Sequence, residues 1–390
     1  MTVSRTWEKP RGFTIAPVMP RYNSDLGALV IVDRMVNNDG MDVITAADQP
    51  SPLHQDTGAA RRRVRVALVQ TRWHEDPDEH ERTLADGIAS AAANGATAVF
   101  LQELTLSRYP GDTPAGGVPK DGAESIEDGP TMRFVRDQAR RHRVFVHASL
   151  YERPADDDQP EDPRGYNTAV LVAPDGTLVG STRKTHIPIS AGYYEDTYFR
   201  PGPDTDPFPV HDPAGLGARV GLPTCWDEWF PEVARAYGLA GSEVLAYPTA
   251  IGSEPTFPDF DTAPIWRQVI VANGITAGQF MVVPNRWGDE GAITFYGSSF
   301  ISDPFGRVLV EAPRDADAVL VADLDLDARA EWLRLFPFYV TRRPDLYATL
   351  TAPVDRLRDG YGADEAIRAS LADASTTHRA GGPQTAAAGA

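Results

Sequence analysis

Short apolar runs alternate with amphipathic stretches along most of the chain. "VRVALVQ" (64–70), "TAVFLQE" (97–103) and "VFVHASLYE" (144–152) read as strands buried on both faces. "DPDEHERTLADGIASAAANGA" between the first two reads as a helix, with Asp residues at its start and Gly95 near its end. "TMRFVRDQARRHR", "FPEVARAYGLAG", "APIWRQVIVANGITA" and "DARAEWLRL" predict further helices. "ARVGLPTC", "SEVLAYP", "FMVVPN" and "AVLVADLDL" predict further strands. Two hairpins are expected, around Pro174-Asp175-Gly176 and around Asp303-Pro304-Phe305-Gly306, where turn residues interrupt paired apolar runs. Alternating strands and helices imply α/β layers, and the hairpins imply mixed sheets. The pattern holds over residues 63–347. Residues 1–60 read as an irregular N-terminal extension in which only "GALVIVDRMV" resembles a strand. Residues 348–390 read as a C-terminal extension, disordered from about residue 372.

Charge and cysteine usage narrow the function classes. The net charge of −18 over 390 residues works against binding a phosphate backbone, so nucleic acid is an unexpected partner. The one cysteine excludes an intrachain disulfide and any multi-cysteine metal site. No secretory leader is readable at the N-terminus, and "LGALVIV" is too short to span a bilayer. A cytoplasmic protein with no membrane partner is the expectation. Lys9, Lys120 and Lys184 are the only lysines, so a lysine within a patterned segment invites a chemical reason.

Several motif-like stretches fail on spacing. His74 and His80 stand six apart, not the four of a helical zinc pair. "DLDLDAR" (323–329) opens like a calcium loop, but Ala328 and Arg334 replace the required Gly and Glu. "GLGARVG" precedes a strand instead of following one. What remains is three strand ends, at Glu103, Lys184 and Cys225. Singly, each has a plain reading: a solvated carboxylate, a surface ammonium, a core thiol. Jointly they are the parts of a thiol site. The carboxylate takes the thiol proton, the ammonium stabilises an oxyanion, and the thiolate attacks. A Cys–His pair using His147 or His186 ranks below this, since no "CGSCW"-like stretch is present.

"FLQELTLSRY", "STRKTHIP" and "CWDEWFPEVAR" resemble the glutamate, lysine and cysteine motifs of the nitrilase, or carbon–nitrogen hydrolase, superfamily, and the resemblance runs from about Arg63 to Tyr347. Within it, "CWDEWFPE", "YPTAIGSEP", "ITFYGSSFI" and "RRPDLY" are most similar to the N-carbamoylputrescine amidase branch. The resemblance implies a four-layer α-β-β-α sandwich with two mixed sheets, a homodimer or higher homo-oligomer, a small-molecule substrate, and no metal or organic cofactor. It implies Cys225 as nucleophile, Glu103 as general base and Lys184 as oxyanion stabiliser, with Glu195 and Trp226 positioning substrate. The implied reaction hydrolyses an N-carbamoyl amine through a thioester; a linear carboxamide, a nitrile or a carbamoyl amino acid is the alternative, and a catalytically silent binding or assembly protein ranks below these. Three features depart from the branch: Pro223 where an aliphatic residue is usual, Glu228 where Gln is common, and the loop "KTHIPISAGYYED". Tyr109, Tyr193, Trp226 and Trp229 are candidate pocket walls. Asn285 and Arg286 read as structural or pocket residues rather than catalytic ones.

Overall fold

The computed structural model describes residues 41–352, apart from 56–57, 156–157, 159–160, 191 and 204, together with strand residues 21–22, 29–30 and 32–36. The tail expected to be disordered lies outside the described residues. Two large mixed sheets face each other. The first has eight strands. In chain order they are β1 (Val32–Val36), β2 (Asp42–Ala46), β3 (Arg63–Gln70), β4 (Ala98–Phe100), β5 (Phe145–Glu152), β6 (Tyr166–Val172), β7 (Leu178–Arg183) and β14 (Ala318–Asp325). Their spatial order is β1-β2-β14-β3-β4-β5-β6-β7. The second sheet has six strands, in the order β8 (Val210–His211), β9 (Val220–Gly221), β10 (Val244–Ala246), β11 (Phe280–Val283), β12 (Phe300–Ser302) and β13 (Val308–Glu311). Helices α1 (Pro77–Ala93) and α2 (Pro130–His142) cover the first sheet; α3 (Pro231–Leu239) and α4 (Ala263–Ala277) cover the second.

The period-two alternation of the strands builds three cores. Val64, Val66 and Leu68 of β3 face Val244, Ala246, Phe280 and Val282 of the second sheet. Ala67 and Val69 turn the other way, onto Leu84 and Ile88 of α1 and Met132 and Val135 of α2. Leu245, Met281 and Val283 meet Val233, Trp266 and Ile270 of α3 and α4. Three apolar cores between four layers make the α-β-β-α sandwich. Gly87 lets α1 lie directly on β3, because a Cβ there would stand 2.6 Å from Val69 Cγ1. Helix α5 (Asp327–Leu335) follows β14 directly.

The stretch expected to be irregular contributes two strands to the first sheet: β1, within the strand-like "GALVIVDRMV", and β2, which was not expected. β2 runs parallel to β14, with Ala318 opposite Asp42, and β1 pairs antiparallel to β2. Met41 and Val43 are buried under the helices, and Ile44 is buried between the sheets. "DVITA" is a brief alternation flanked by Asn, Asp and Gly, and its partner strand lies near the far end of the chain. Its strand character therefore depends on a contact remote in sequence.

The centre of each sheet is parallel: β3-β4-β5 in one and β9-β10-β11 in the other. The loops leaving β4, β9 and β10 come together at one edge of the sandwich, where Glu103 N–H donates to Thr249 O at 3.4 Å and Cys225 N–H to Pro248 O at 3.1 Å. Among the described residues no helix is long and apolar enough to cross a membrane.

Candidate active site

Glu103 lies three residues past β4, in a turn whose next residue, Leu104, has φ +48°. A β-turn there stops the apolar run from continuing as a strand. Leu104 N–H donates to Ser149 Oγ at 3.2 Å, and Ser149 Oγ donates to Asn167 Oδ1 at 3.0 Å. Asn167 Nδ2 then donates to Glu103 Oε1 at 2.7 Å. Asn167 is a polar position inside the apolar run of β6, and that interruption is the signal by which sequence reasoning should have found it. Glu103 Oε2 is buried and accepts no hydrogen bond from any described residue.

Lys184 is the first residue past β7, and its N–H donates to Asn167 O at 2.7 Å. Its ammonium is fully buried and bridges two carboxylates, Glu103 Oε1 at 2.9 Å and Glu195 Oε2 at 2.6 Å. Burial works against this charge, but Glu103 and Glu195 overcome it and hold the ammonium well above its usual range. Glu195 opens a short 3₁₀ turn, and its other oxygen accepts the Tyr109 hydroxyl at 2.8 Å. Burial, resisted by Lys184, pushes the Glu195 carboxyl up to about 7. Tyr109 is thus more than a wall: it pins the second carboxylate.

Cys225 arrives from the other sheet. β9 ends at Gly221, and Pro223 has no N–H with which to prolong it. The expected strand to Cys225 is therefore shorter, and Cys225 instead begins a 3₁₀ helix (Cys225–Trp229). Its φ of +35° is rare for a side chain other than glycine, and its N–H is tied to Pro248 O at 3.1 Å. Asp227 fastens this turn to the lysine loop. It accepts Thr224 N–H at 3.1 Å, His186 N–H at 2.9 Å and His186 Nδ1 at 2.7 Å. The His186 ring stacks on Phe230 with centroids 3.8 Å apart. His186 is accordingly the partner of Asp227, while His147 lies buried against Phe100 with neither ring nitrogen bonded to a described residue.

Burial and then the Glu103 carboxylate push the Cys225 thiol well above its ordinary value, against the pull of Lys184. The surroundings thus favour the protonated thiol over the thiolate. Glu228, three residues on, is buried behind it. Trp266 Nε1 donates to its Oε1 at 2.6 Å. Thr249 Oγ1 lies within donating distance of both Glu228 Oε2, at 3.3 Å, and Tyr247 O, at 2.9 Å. Burial likewise pushes this carboxyl well above the usual range, against the hydrogen bonds it accepts from Trp266 and Thr249. Glu228 fills a buried hydrogen-bond network with Trp266 and Thr249.

The remaining candidates sort by position. Tyr193 is buried beside Tyr109 with ring centroids 6.2 Å apart. Trp226 and Trp229 are half-buried and touch each other at 6.1 Å. Asn285 joins two loops by accepting Ile251 N–H and donating to Gly297 O. His74 and His80 do approach, with Nδ1 atoms 3.4 Å apart, but no group of described residues could hold a metal ion. Two surface cavities of about 500 Å³ each are lined by other residues, such as Arg136 and Pro207 in one and Trp73 and Glu75 in the other.

A family model for carbon-nitrogen hydrolases matches residues 65–334. The chain belongs to the carbon–nitrogen hydrolase family. It is similar, at 34% identity, to a citrullinase of Francisella tularensis, over 73% of this chain and 96% of the relative. At 35% identity it is similar to an N-carbamoylputrescine amidase of Arabidopsis thaliana, over 76% and 97%. A crystal structure of a carbon–nitrogen hydrolase from Helicobacter pylori G27 superposes with a TM-score of 0.67 at 29% identity, covering 75% of this chain and all of the other. An amidase from Nesterenkonia sp. AN1, solved with acrylamide added at its active-site cysteine, superposes at 0.58 with 25% identity, over 74% and 99%.

Proposed function

We propose that this carbon–nitrogen hydrolase cleaves a terminal ureido group, releasing ammonia, carbon dioxide and a free amine, with Cys225 as nucleophile. One observation carries the assignment of roles: Glu103 has one oxygen committed to Lys184 and Asn167 and the other buried without a partner. An unpartnered buried carboxylate oxygen is the acceptor a neutral thiol needs. Cys225 attacks the ureido carbon as its proton passes to Glu103. Lys184 faces the developing oxyanion, helped by backbone N–H groups of the turn at Trp226. The protonated Glu103 then gives its proton to the departing ammonia, leaving a carbamoyl thioester. Water, deprotonated by Glu103, attacks the thioester; the thiol is restored and the carbamic acid released decomposes to amine and carbon dioxide. Splitting one difficult displacement into two easier ones is the advantage of the covalent route. Glu195, held by Tyr109, keeps the ammonium in place.

The ureido reading is supported by the names of the two relatives, since citrulline and N-carbamoylputrescine each end in that group. A panel of citrulline, carbamoylputrescine, carbamoyl-β-alanine and simple carboxamides, read by ammonia release and carbon dioxide detection, tests it. Carbon dioxide together with ammonia is expected. Ammonia with a carboxylic acid and no carbon dioxide would make the enzyme an amidase instead.

A further inference from the structure

We infer that the buried Arg286–Glu290 ion pair is a positioning element that fixes both carboxylate arms of the catalytic centre at once. Arg286 follows β11 by three residues and is fully buried. Its Nη2 donates to Glu103 O at 2.7 Å, Leu104 O at 3.2 Å and Ser107 O at 3.2 Å. These are the carbonyls of the turn that carries the base, including the residue with φ +48°. A guanidinium presents several donors in one rigid plane and can gather three carbonyls that the turn leaves without partners in a strand. Its Nη1 bonds Glu290 Oε1 at 2.8 Å. Glu290 Oε2 accepts the N–H of Tyr109 at 2.9 Å. Tyr109 in turn bonds Glu195, and Glu195 bonds Lys184.

One ion pair therefore grips the chain from Glu103 to Tyr109 at both ends. One arm runs through the main chain to the Glu103 carboxylate. The other runs through Tyr109 and Glu195 to the Lys184 ammonium. The Phe295 ring, 5.4 Å from the guanidinium carbon and 5.5 Å from the Tyr109 ring, closes the space between the arms. Charged pairs buried this completely add little stability relative to apolar packing, so a role in geometry accounts for this one better than a role in stability. Arg286 touches no reacting atom; it acts through the groups it holds.

The inference rests on the roles proposed for Glu103 and Lys184, and the test separates the two. Steady-state kinetics of full-length R286K and E290Q are measured on whichever substrate the wild type turns over, together with thermal melting. A wild type inactive on every substrate would contradict the proposed function. With an active wild type, R286K is expected to lose about 100-fold in kcat with KM within about threefold, the scale of a misplacement of about 1 Å in a catalytic group. E290Q is expected to lose less, and both should melt cooperatively. R286A with added guanidinium ion supplies the decisive readout: partial, saturable recovery of kcat. A folded R286K with wild-type kcat would overturn the inference, as would a loss confined to KM. Should R286A fail to fold, E290Q decides: wild-type kcat in that folded variant overturns the inference.

Discussion

Glu103, Asn167 and Lys184 come from the eight-stranded sheet and carry the charge of the site, with every side-chain polar atom bonded except Glu103 Oε2. Cys225 and Glu228 follow β9 of the six-stranded sheet, and burial favours the uncharged form of both. The first half is a balanced network built to stay put. The second is a thiol on a strained turn, with φ +35° and no charge of its own. On the proposed mechanism, activation falls at the boundary between the sheets, with a proton crossing from Cys225 to the unpartnered oxygen of Glu103. The difference also explains why the two halves are tied so firmly, by Asp227 to the lysine loop and by Thr249 to the glutamate turn.

The sharpest way to break this contrast is E103Q. It keeps the shape of the charged half and removes the proton acceptor. kcat is expected to fall about 100- to 10,000-fold, measured by ammonia release, as for loss of a general base. Retention of activity would move the proton elsewhere.

Deleting residues 1–60 tests how far the charged half depends on its sheet. The truncation removes β1 and β2 and strips Met41, Val43 and Ile44 from two cores. Each such buried side chain contributes roughly 1.5–3 kcal/mol, so a large drop in the urea midpoint is expected. An unchanged midpoint would mean that these strands are dispensable.

E195Q sharpens the charged half by pH. A carboxyl raised from 4.5 to about 7 by folding favours the protonated form. The stability it contributes is complete below about pH 4.5 and is lost as pH rises through about 7. In E195Q the urea midpoint should decline less across that window than in the wild type; an identical decline would contradict the assignment.

E228Q probes the neutral half and should do least. Burial favours the uncharged form of this carboxyl, and an amide of the same shape can keep the bonds to Trp266 and Thr249, so kcat within about threefold is expected. A loss comparable to that of E103Q would mean that Glu228 is charged or touches substrate.

Glu103, Lys184 and Cys225 were legible because each follows an apolar run, although only Lys184 directly follows its strand, and the hairpin that delivers Lys184 announced itself through Pro174-Asp175-Gly176. The four-layer stack followed from the family resemblance more than from the pattern. Strand β1 was foreshadowed by "GALVIVDRMV", but β2 was illegible in "NNDGMDVITA" because its partner β14 is remote in sequence. The same reason hid what Arg286 holds, since Glu103, Leu104 and Ser107 lie on the loop after β4 of the other sheet, and the role of Asp227, whose partner His186 follows the lysine. Pro223 did report the early end of β9. Glu228, read as a departure near the thiol, acquired its meaning only once Trp266 and Thr249 were seen around it.

The central claim is that Cys225 carries a substrate-derived acyl group. Intact-mass spectrometry of wild type and C225A, acid-quenched during turnover of a ureido substrate, tests it most directly. A mass increase equal to the substrate less ammonia, present in wild type, mapping to Cys225 and absent from C225A, is the predicted result. C225A that continues to release ammonia at the wild-type rate, with no adduct on either protein, would contradict it.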